Sequence, residues 1–283
     1  MGNHYVPQKY LRGFAEPENP DAIWMYDKKL HKFTNPTIKS IAQESAFYSA
    51  EIEYQLNDLV EKPANLVLDK LRCQEEINDQ DRISQAIYIA TMIKRVPKRR
   101  TKALAMYPAV YEKTMKEIRS EVEEWARVSQ DKELVERRMA ELEKAEQTYR
   151  NEPPKEILEQ IRIPWPSQQM IALVYSMSWR IVQSKGPSFF LTSDNPAFIF
   201  DAYGLGKPES ELTFPIATDL ALFGSWVGQQ NSIIYLQEKQ RLIREANKRI
   251  ASSAERFVFY HRKEEWIAKV SDNKKPYLSR IKW

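Results

Sequence analysis

The residues of this chain that could carry chemistry begin with a histidine near its amino terminus. His4 and Gln8 stand among side chains of types that are usually buried: Tyr5, Val6, Tyr10, Leu11 and Phe14. Burial of these neighbours takes the two polar side chains towards the interior. A buried neutral imidazole is either a hydrogen-bonded structural group or one that acts as a general acid/base or metal ligand. Both interpretations of His4 stay open.

A second polar group stands between two apolar segments, in the turn Ser193-Asp194-Asn195-Pro196. Asp and Asn residues before a proline form turns by bonding their own backbone, which is the structural interpretation. Polar side chains at the end of a buried strand are also a frequent place for catalytic groups. Asp194 and Asn195 are therefore candidates for catalysis.

One polar residue lies on the apolar face of the last predicted helix. Asn247 is four residues after Ile243 and three before Ile250, so it shares their face. A buried Asn that finds no partner costs about 1–3 kcal/mol. We therefore expect Asn247 either to bond a nearby backbone or to point into a site.

The stretch from Lys94 to Lys102 holds six cations and no acid. The cations are Lys94, Arg95, Lys98, Arg99, Arg100 and Lys102. Because the stretch follows a predicted helix, the negative end of the helix dipole accounts for one or two of them. The others form either a patch that contacts phosphate or a solvated basic turn.

Two glutamates complete the set of candidates. Glu53 and Glu61 are eight residues apart, about two helical turns, and share a face if Pro63 leaves that helix straight. Carboxylates together with a histidine and an Asp-Asn pair suit a divalent cation. The expectation is that Asp194 and Glu53 bind Mg²⁺ or Mn²⁺.

Strands near both ends of the chain and helices between them must position these residues. Hydrophobic periodicity predicts a strand hairpin at 23–33 and helices at 79–95, 109–150 (a charged antiparallel pair), 167–183 and 238–254. It predicts further strands at 188–192, 197–200, 211–216, 220–224, 233–236 and 257–260. This order predicts an α+β fold with a mixed or antiparallel sheet built from N- and C-terminal strands. We expect a single domain, 1–283, with the pair at 109–150 as a projecting helical hairpin inserted within it.

Composition excludes several classes of protein. The 283 residues are 42% hydrophobic and 29% charged, as in globular proteins, and the single Cys73 excludes a disulfide framework. No G-x-G-x-x-G or G-x-x-x-x-G-K-[ST] motif occurs, so no nucleotide cofactor is expected. No long apolar run and no signal peptide are found, so we expect a cytoplasmic protein that does not bind membranes. The net charge of +4 favours polyanionic partners.

Several segments together resemble a known family. They are His4-Tyr5-Val6-Pro7-Gln8 with Tyr10-Leu11-Arg12 and Phe14, Arg95-x-Pro97, Leu191-Thr192-Ser193-Asp194-Asn195-Pro196, Phe214-Pro215-Ile216 and the helix that carries Asn247. In this order they resemble the bacterial family of domain of unknown function 4238 over most of the chain. The resemblance implies that six residues converge on one site: His4, Gln8, Arg95, Asp194, Asn195 and Asn247.

Two functions stay open at this point. The first is a metal-dependent hydrolase or nuclease that acts on a nucleic acid or nucleotide. In that hypothesis Asp194, with Glu53 or His4, holds the cation or activates water. The basic run neutralises phosphate, while Gln8, Asn195 and Asn247 orient groups.

The second function is a non-catalytic module that binds nucleic acid or a protein through the basic run 94–102 and the charged hairpin. The polar residues embedded in apolar strings favour the enzyme, since stability alone seldom requires so many buried polar groups.

Overall fold

The computed structural model describes residues 2–45, 47–150, 152–237, 240–273 and 276–281. The chain divides into two compact units, one of Met1–Lys98 with Pro164–Trp283 and one of Arg99–Ile163. About 50% of the chain is helix and 18% is strand, with sheets near the termini and a helical middle. The predicted α+β fold is confirmed.

The strands are, in chain order, β1 (Gly2–His4), β2 (Trp24–Asp27), β3 (Lys32–Thr34), β4 (Gln43–Ser45), β5 (Ser178–Gln183), β6 (Thr192–Ser193), β7 (Phe198–Ile199), β8 (Glu211–Ala217), β9 (Leu220–Ser225), β10 (Ile233–Gln237) and β11 (Phe257–Tyr260). The helices are α1 (Gln8–Leu11), α2 (Ala50–Gln55), α3 (Lys62–Arg72), α4 (Asp79–Lys94), α5 (Pro97–Val128), α6 (Lys132–Tyr149), α7 (Lys155–Arg162), α8 (Gln168–Ser176), α9 (Gln240–Ser253) and α10 (Trp266–Ser271). A π-helical segment, Leu56–Glu61, joins α2 to α3.

A four-stranded antiparallel sheet in the first unit joins the two ends of the chain. Its order is β3-β2-β11-β6, so the N-terminal hairpin pairs with the C-terminal strand β11. In this pairing Phe257 lies opposite Asp27, and Tyr260 lies opposite Trp24. The sheet therefore combines N- and C-terminal strands, as the sequence predicts.

A five-stranded mixed sheet forms the centre of the same unit, in the order β10-β5-β9-β8-β7. β10 pairs with β5 in parallel, and the other pairs are antiparallel. Every residue of β8 and β9 is buried, as their nearly continuous apolar sequences require. Helix α9 packs against β6, β7 and β8, and buries Ile243, Ala246 and Ile250.

The helices of the first unit cover the apolar core. α4 packs against α3 and α8 and is buried over most of its second half. Its start is fixed by a capping box, in which Asn78 accepts from the Asp81 N–H and the Asp81 side chain accepts from the Asn78 N–H. α4 ends at Arg95, which is its C-terminal cap.

In the second unit, α5 and α6 form an antiparallel pair along one seam. The Tyr107 hydroxyl donates to the Tyr149 carbonyl, and the Tyr111 hydroxyl donates to that of Glu146. Arg119 donates to both carboxylate oxygens of Glu146, at 3.0 and 2.6 Å. The predicted charged helices of the middle region are thus present. Over the described residues, no helix combines the length and apolarity that a membrane span needs.

Two predicted elements differ from the structure. Ser178–Gln183 is strand β5 and not the end of a helix, because a buried run of Trp179, Ile181 and Val182 pairs on both sides with β9 and β10. The predicted strand 188–192 is regular only at its end, in β6, since Leu191 donates its N–H to a side chain and Phe190 to the Thr218 carbonyl. Glu238, the predicted start of the last helix, lies outside the described residues.

Candidate functional site

Arg95 links strand β1 to the π-helical segment that precedes α3. Its side chain is fully buried, and Nη2 donates to the His4 carbonyl oxygen. Nη1 donates to Glu61 Oε1 at 2.7 Å, and the backbone oxygen of Arg95 accepts from the Tyr48 hydroxyl at 2.9 Å. The predicted residues His4 and Arg95 are therefore in direct contact, although 91 residues separate them.

Glu53 lies in α2 and Glu61 is the last residue of the π-helical segment, and the charges of Arg95 and Glu61 both act on the Glu53 carboxyl. Burial raises the pKa of Glu53, the positive charge of Arg95 opposes that rise, and the charge of Glu61 adds to it. Asn3 Nδ2 donates to Glu53 Oε2 at 3.4 Å. π-helical turns occur frequently at functional sites, which makes this polar group a candidate in its own right.

The His4 imidazole is half-buried beside this group. Its Nε2 is buried and has no hydrogen-bond partner among the described residues. Burial lowers the pKa of His4, and a backbone hydrogen bond with Lys39 opposes the change. The ring is therefore neutral near pH 7, which suits both the structural and the acid/base interpretation.

The Asp194 carboxylate accepts hydrogen bonds from three backbone N–H groups at the start of β11. Oδ1 accepts from Glu255 at 2.8 Å, and Oδ2 accepts from Arg256 at 2.7 Å and Phe257 at 2.8 Å. Burial raises the pKa of Asp194 to about 6, and these three N–H groups oppose the rise. The carboxylate thus fixes the connection from α9 to β11.

The neighbouring polar residues bind the carboxyl end of α9. Asn195 Nδ2 and Lys98 Nζ both donate to the Ser253 carbonyl oxygen, at 3.0 and 2.7 Å. Lys28 Nζ donates to the carbonyl oxygens of Ala251 and Ala254. Cations at this position are favoured by the negative end of the helix dipole.

Asn247 and Gln8 form no side-chain hydrogen bond with the described residues of either group. Asn247 Oδ1 accepts from the Leu191 N–H at 2.9 Å, and its Nδ2 donates to the Phe189 carbonyl at 2.8 Å. Of the two alternatives for this residue, the structure shows the backbone contacts. Gln8 is the first residue of α1, and its side chain forms no hydrogen bond with any described residue.

The structure thus distributes the predicted site residues over several sets of contacts. His4, Arg95 and Glu53 form one set, and Asp194, Asn195 and Lys98 form another. Lys94 is exposed at the end of α4, while Arg99, Arg100 and Lys102 belong to the second unit. Within the described part of the chain, no three His, Cys, Asp or Glu residues form a group that could hold a metal ion. The catalytic roles and the Mg²⁺ or Mn²⁺ site stay predictions.

A basic groove runs along the other end of α9. Arg241, Arg244 and Lys248 are spaced by three and four residues, so they form one stripe on the helix surface. Opposite them lies the C-terminal segment 277–281, which contributes Arg280 and Tyr277. The groove between the helix and this segment has a volume of about 1320 Å³.

A buried ionic network fixes the C-terminal wall of this groove. Arg249, which is 0% exposed, donates to Glu211 Oε2 at 2.5 Å and to the Ser279 carbonyl at 2.7 Å. Glu245 Oε1 accepts from the Ser279 N–H at 2.8 Å, and Glu211 accepts from the Ile281 N–H. The network thus ties α9 and β8 to both neighbours of Arg280.

The charges that face the groove are mainly positive. Among its described lining residues, Arg241, Arg244, Lys248 and Arg280 are accompanied by one carboxylate, that of Glu245, and Arg280 also pairs with the buried Glu211 at 3.7 Å. Glu245 is itself engaged, because it is bonded to Ser279 and paired with Lys248 at 3.4 Å. Arg241 and Arg244 are exposed and form no ion pair with any residue that the structure describes.

The groove residues are missing from the sequence prediction. The spacing of Arg241, Arg244 and Lys248 is present in the sequence, but exposed cations on one helix face are equally typical of a solvated surface. Tyr277 and Arg280 carry no such signal, because distant contacts bring their segment to α9: the buried network around Arg249 and the packing of Ile281 against Leu242 and Ile243.

These features define an α+β protein whose first unit carries a basic groove on a C-terminal helix. The chain belongs to the family described as protein of unknown function (DUF4238), whose model matches residues 3–264. The match confirms the resemblance drawn from the sequence, and it includes α9 but not the segment 277–281. No curated protein and no solved structure matches the chain.

Proposed function

We propose that this protein binds a single strand of nucleic acid in the groove along α9. The observation that carries the proposal is the stripe of cations, Arg241, Arg244 and Lys248, facing Arg280 and an exposed tyrosine across one groove. Arginine and lysine bind phosphate by direct pairing and by release of the counterions that surround the polyanion. The net charge of +4 favours the approach of such a ligand.

The size and the aromatic residue favour a single strand over a small anion. A volume of about 1320 Å³ exceeds the roughly 300–1,000 Å³ of pockets for drug-sized ligands. Tyr277 is 84% exposed, so its ring is open to a stacked base. Grooves for single strands combine cations that follow the backbone with aromatic rings on which bases stack, each base contributing about 1–3 kcal/mol.

Three further proposals are hydrolysis of the bound strand by the residues around His4 or Asp194, a divalent cation at that site, and a cytoplasmic location. In the basic run 94–102, Lys98 donates to the Ser253 carbonyl oxygen at the end of α9, and phosphate binding by this run stays a prediction.

The proposal is tested by fluorescence anisotropy with a labelled single strand of about 12 nucleotides, within the usual range of site sizes. The variant Arg241→Ala/Arg244→Ala removes two groove cations. We expect its affinity to fall about tenfold for each lost phosphate contact, or roughly 1.4 kcal/mol each.

A matched control is Arg137→Ala/Arg138→Ala, which removes the same charge from α6 in the second unit. Its affinity should equal that of the wild type. Equal affinity of the groove variant and the wild type would contradict the proposal. Loss of binding in the control variant alone would assign the ligand to the charged hairpin instead.

A further inference from the structure

A second cavity lies beside the groove and shares two of its cations. It has a volume of about 460 Å³ and is formed by α9, α10 and the segment that precedes β6. Arg244 and Lys248 line both this cavity and the groove. A ligand whose phosphate pairs with these two cations can therefore place an attached group in the cavity.

The cavity is walled by flat aromatic and guanidinium groups. The ring centroids of Phe189 and Trp266 are 5.5 Å apart. The guanidinium of Arg262 lies 5.0 Å from the centroid of Phe189 and is held there by the Pro187 carbonyl and by Glu264. Phe189 is only 5% exposed beneath these neighbours, so the surfaces open to a ligand are those of the partly buried Trp266 and of Arg262. A flat ring stacks on aromatic and arginine side chains of this kind.

Asn247 positions one of these walls. Its side chain bonds the backbone of Phe189 and of Leu191, so it fixes the segment that carries the Phe189 ring. The side-chain oxygen and nitrogen of Asn247 are therefore both bonded to backbone, and Asn247 acts on the cavity by positioning Phe189.

We propose that the cavity binds one nucleobase of the strand whose phosphates lie in the groove, an inference that rests on the proposed function. The volume is within the roughly 300–1,000 Å³ range of ligand pockets. An apolar aromatic interior with cations at its edge complements a nucleotide, which joins a flat ring to an anion. A sugar phosphate that lacks a base can pair with the cations, but it has no flat ring to occupy this cavity.

The test compares adenosine monophosphate, ribose 5-phosphate and inorganic phosphate by isothermal titration calorimetry on the full chain. We expect the nucleotide to bind about tenfold or more tightly than ribose 5-phosphate, as stacking of one base implies. This comparison uses the wild-type protein and so does not depend on the folding of a variant. Equal affinities for the two sugar phosphates would overturn the inference.

A pair of variants tests whether the base of the nucleotide binds in this cavity. Trp266→Leu should remove the preference for the nucleotide and leave ribose 5-phosphate binding unchanged. The matched control, Trp165→Leu, replaces another partly buried tryptophan of the first unit that does not line the cavity, and should keep the preference. A preference that survives in Trp266→Leu would overturn the assignment to this cavity.

The outcomes separate this inference from the proposed function. If the labelled strand binds with the expected loss in Arg241→Ala/Arg244→Ala but no base preference is found, only the inference fails. If no strand binds at all, the proposed function itself is wrong.

Discussion

Replacement of Arg249 by methionine should destabilise the protein strongly, because this cation neutralises two buried carboxylates. Arg249, Glu211 and Glu245 have side-chain exposures of 0%, 4% and 7%. In Arg249→Met the carboxylates lose their buried cation and keep only the more exposed Lys248 and Arg280, at 3.4 and 3.7 Å, and the Ser279 carbonyl loses its donor. Breaking a buried ion pair from one side costs about 3–5 kcal/mol, a large part of the roughly 5–15 kcal/mol that stabilises a typical domain.

The assay is guanidinium chloride unfolding followed by far-ultraviolet circular dichroism at pH 7. The matched control is Arg244→Met, the same substitution five residues earlier on α9, where the side chain is exposed and forms no ion pair within the described part of the chain. Its free energy of unfolding should stay within about 0.5 kcal/mol of the wild type.

A third variant tests the physical reason. Adding Glu211→Gln to Arg249→Met removes one of the two buried negative charges, and a glutamine oxygen can still accept from the Ile281 N–H. The double variant should recover part of the lost stability. A loss of less than about 1 kcal/mol in Arg249→Met, or no recovery in the double variant, would refute the argument that charge neutralisation fixes this wall.

Two further predictions concern the N-terminal polar group. Arg95→Met should cost about 3–5 kcal/mol in chemical denaturation, because Glu61 and the His4 carbonyl lose their donor, and Glu61→Gln in the same chain should restore part of it. An Arg95→Met variant as stable as an Arg127→Met control would leave Arg95 free for the substrate-binding role predicted from the sequence. For His4, burial lowers the pKa below the ordinary 6.5, so the unfolded chain takes up the proton first as the pH falls. The free energy of unfolding should therefore decrease below about pH 6.5 more steeply in the wild type than in His4→Gln. Parallel pH curves for the two proteins would contradict this sign.

Local sequence patterns predict much of the fold. The hairpin β2–β3, helix α4 and strand β11 are all found at the predicted places, because each has a clear period and turn or capping residues at its ends. Ser178–Gln183 was mispredicted because a short apolar run fits a buried strand as well as the end of a helix. Its pairing with β9 and β10 decides the outcome, and that pairing is not a local property.

In the candidate site too, the sequence shows local features but not the contacts between distant residues. The sequence identifies Asp194, Asn195 and Asn247 as candidates because they stand in apolar strings, and Asp194 and Asn247 are buried while Asn195 is partly buried. It does not show that their partners are backbone groups of Phe257, Ser253 and Leu191, since backbone partners leave no trace in residue type. The groove likewise depends on the distant contact of Arg249 with Ser279.

The most direct test of the groove is the salt dependence of single-strand binding. Each phosphate neutralised in a single strand contributes about −0.7 to the slope of log K against log salt concentration. Four groove cations therefore predict a slope of about −3 for the wild type, and Arg241→Ala/Arg244→Ala should reduce it to about −1.4. The same slope in both proteins would show that the strand binds elsewhere and would contradict the account.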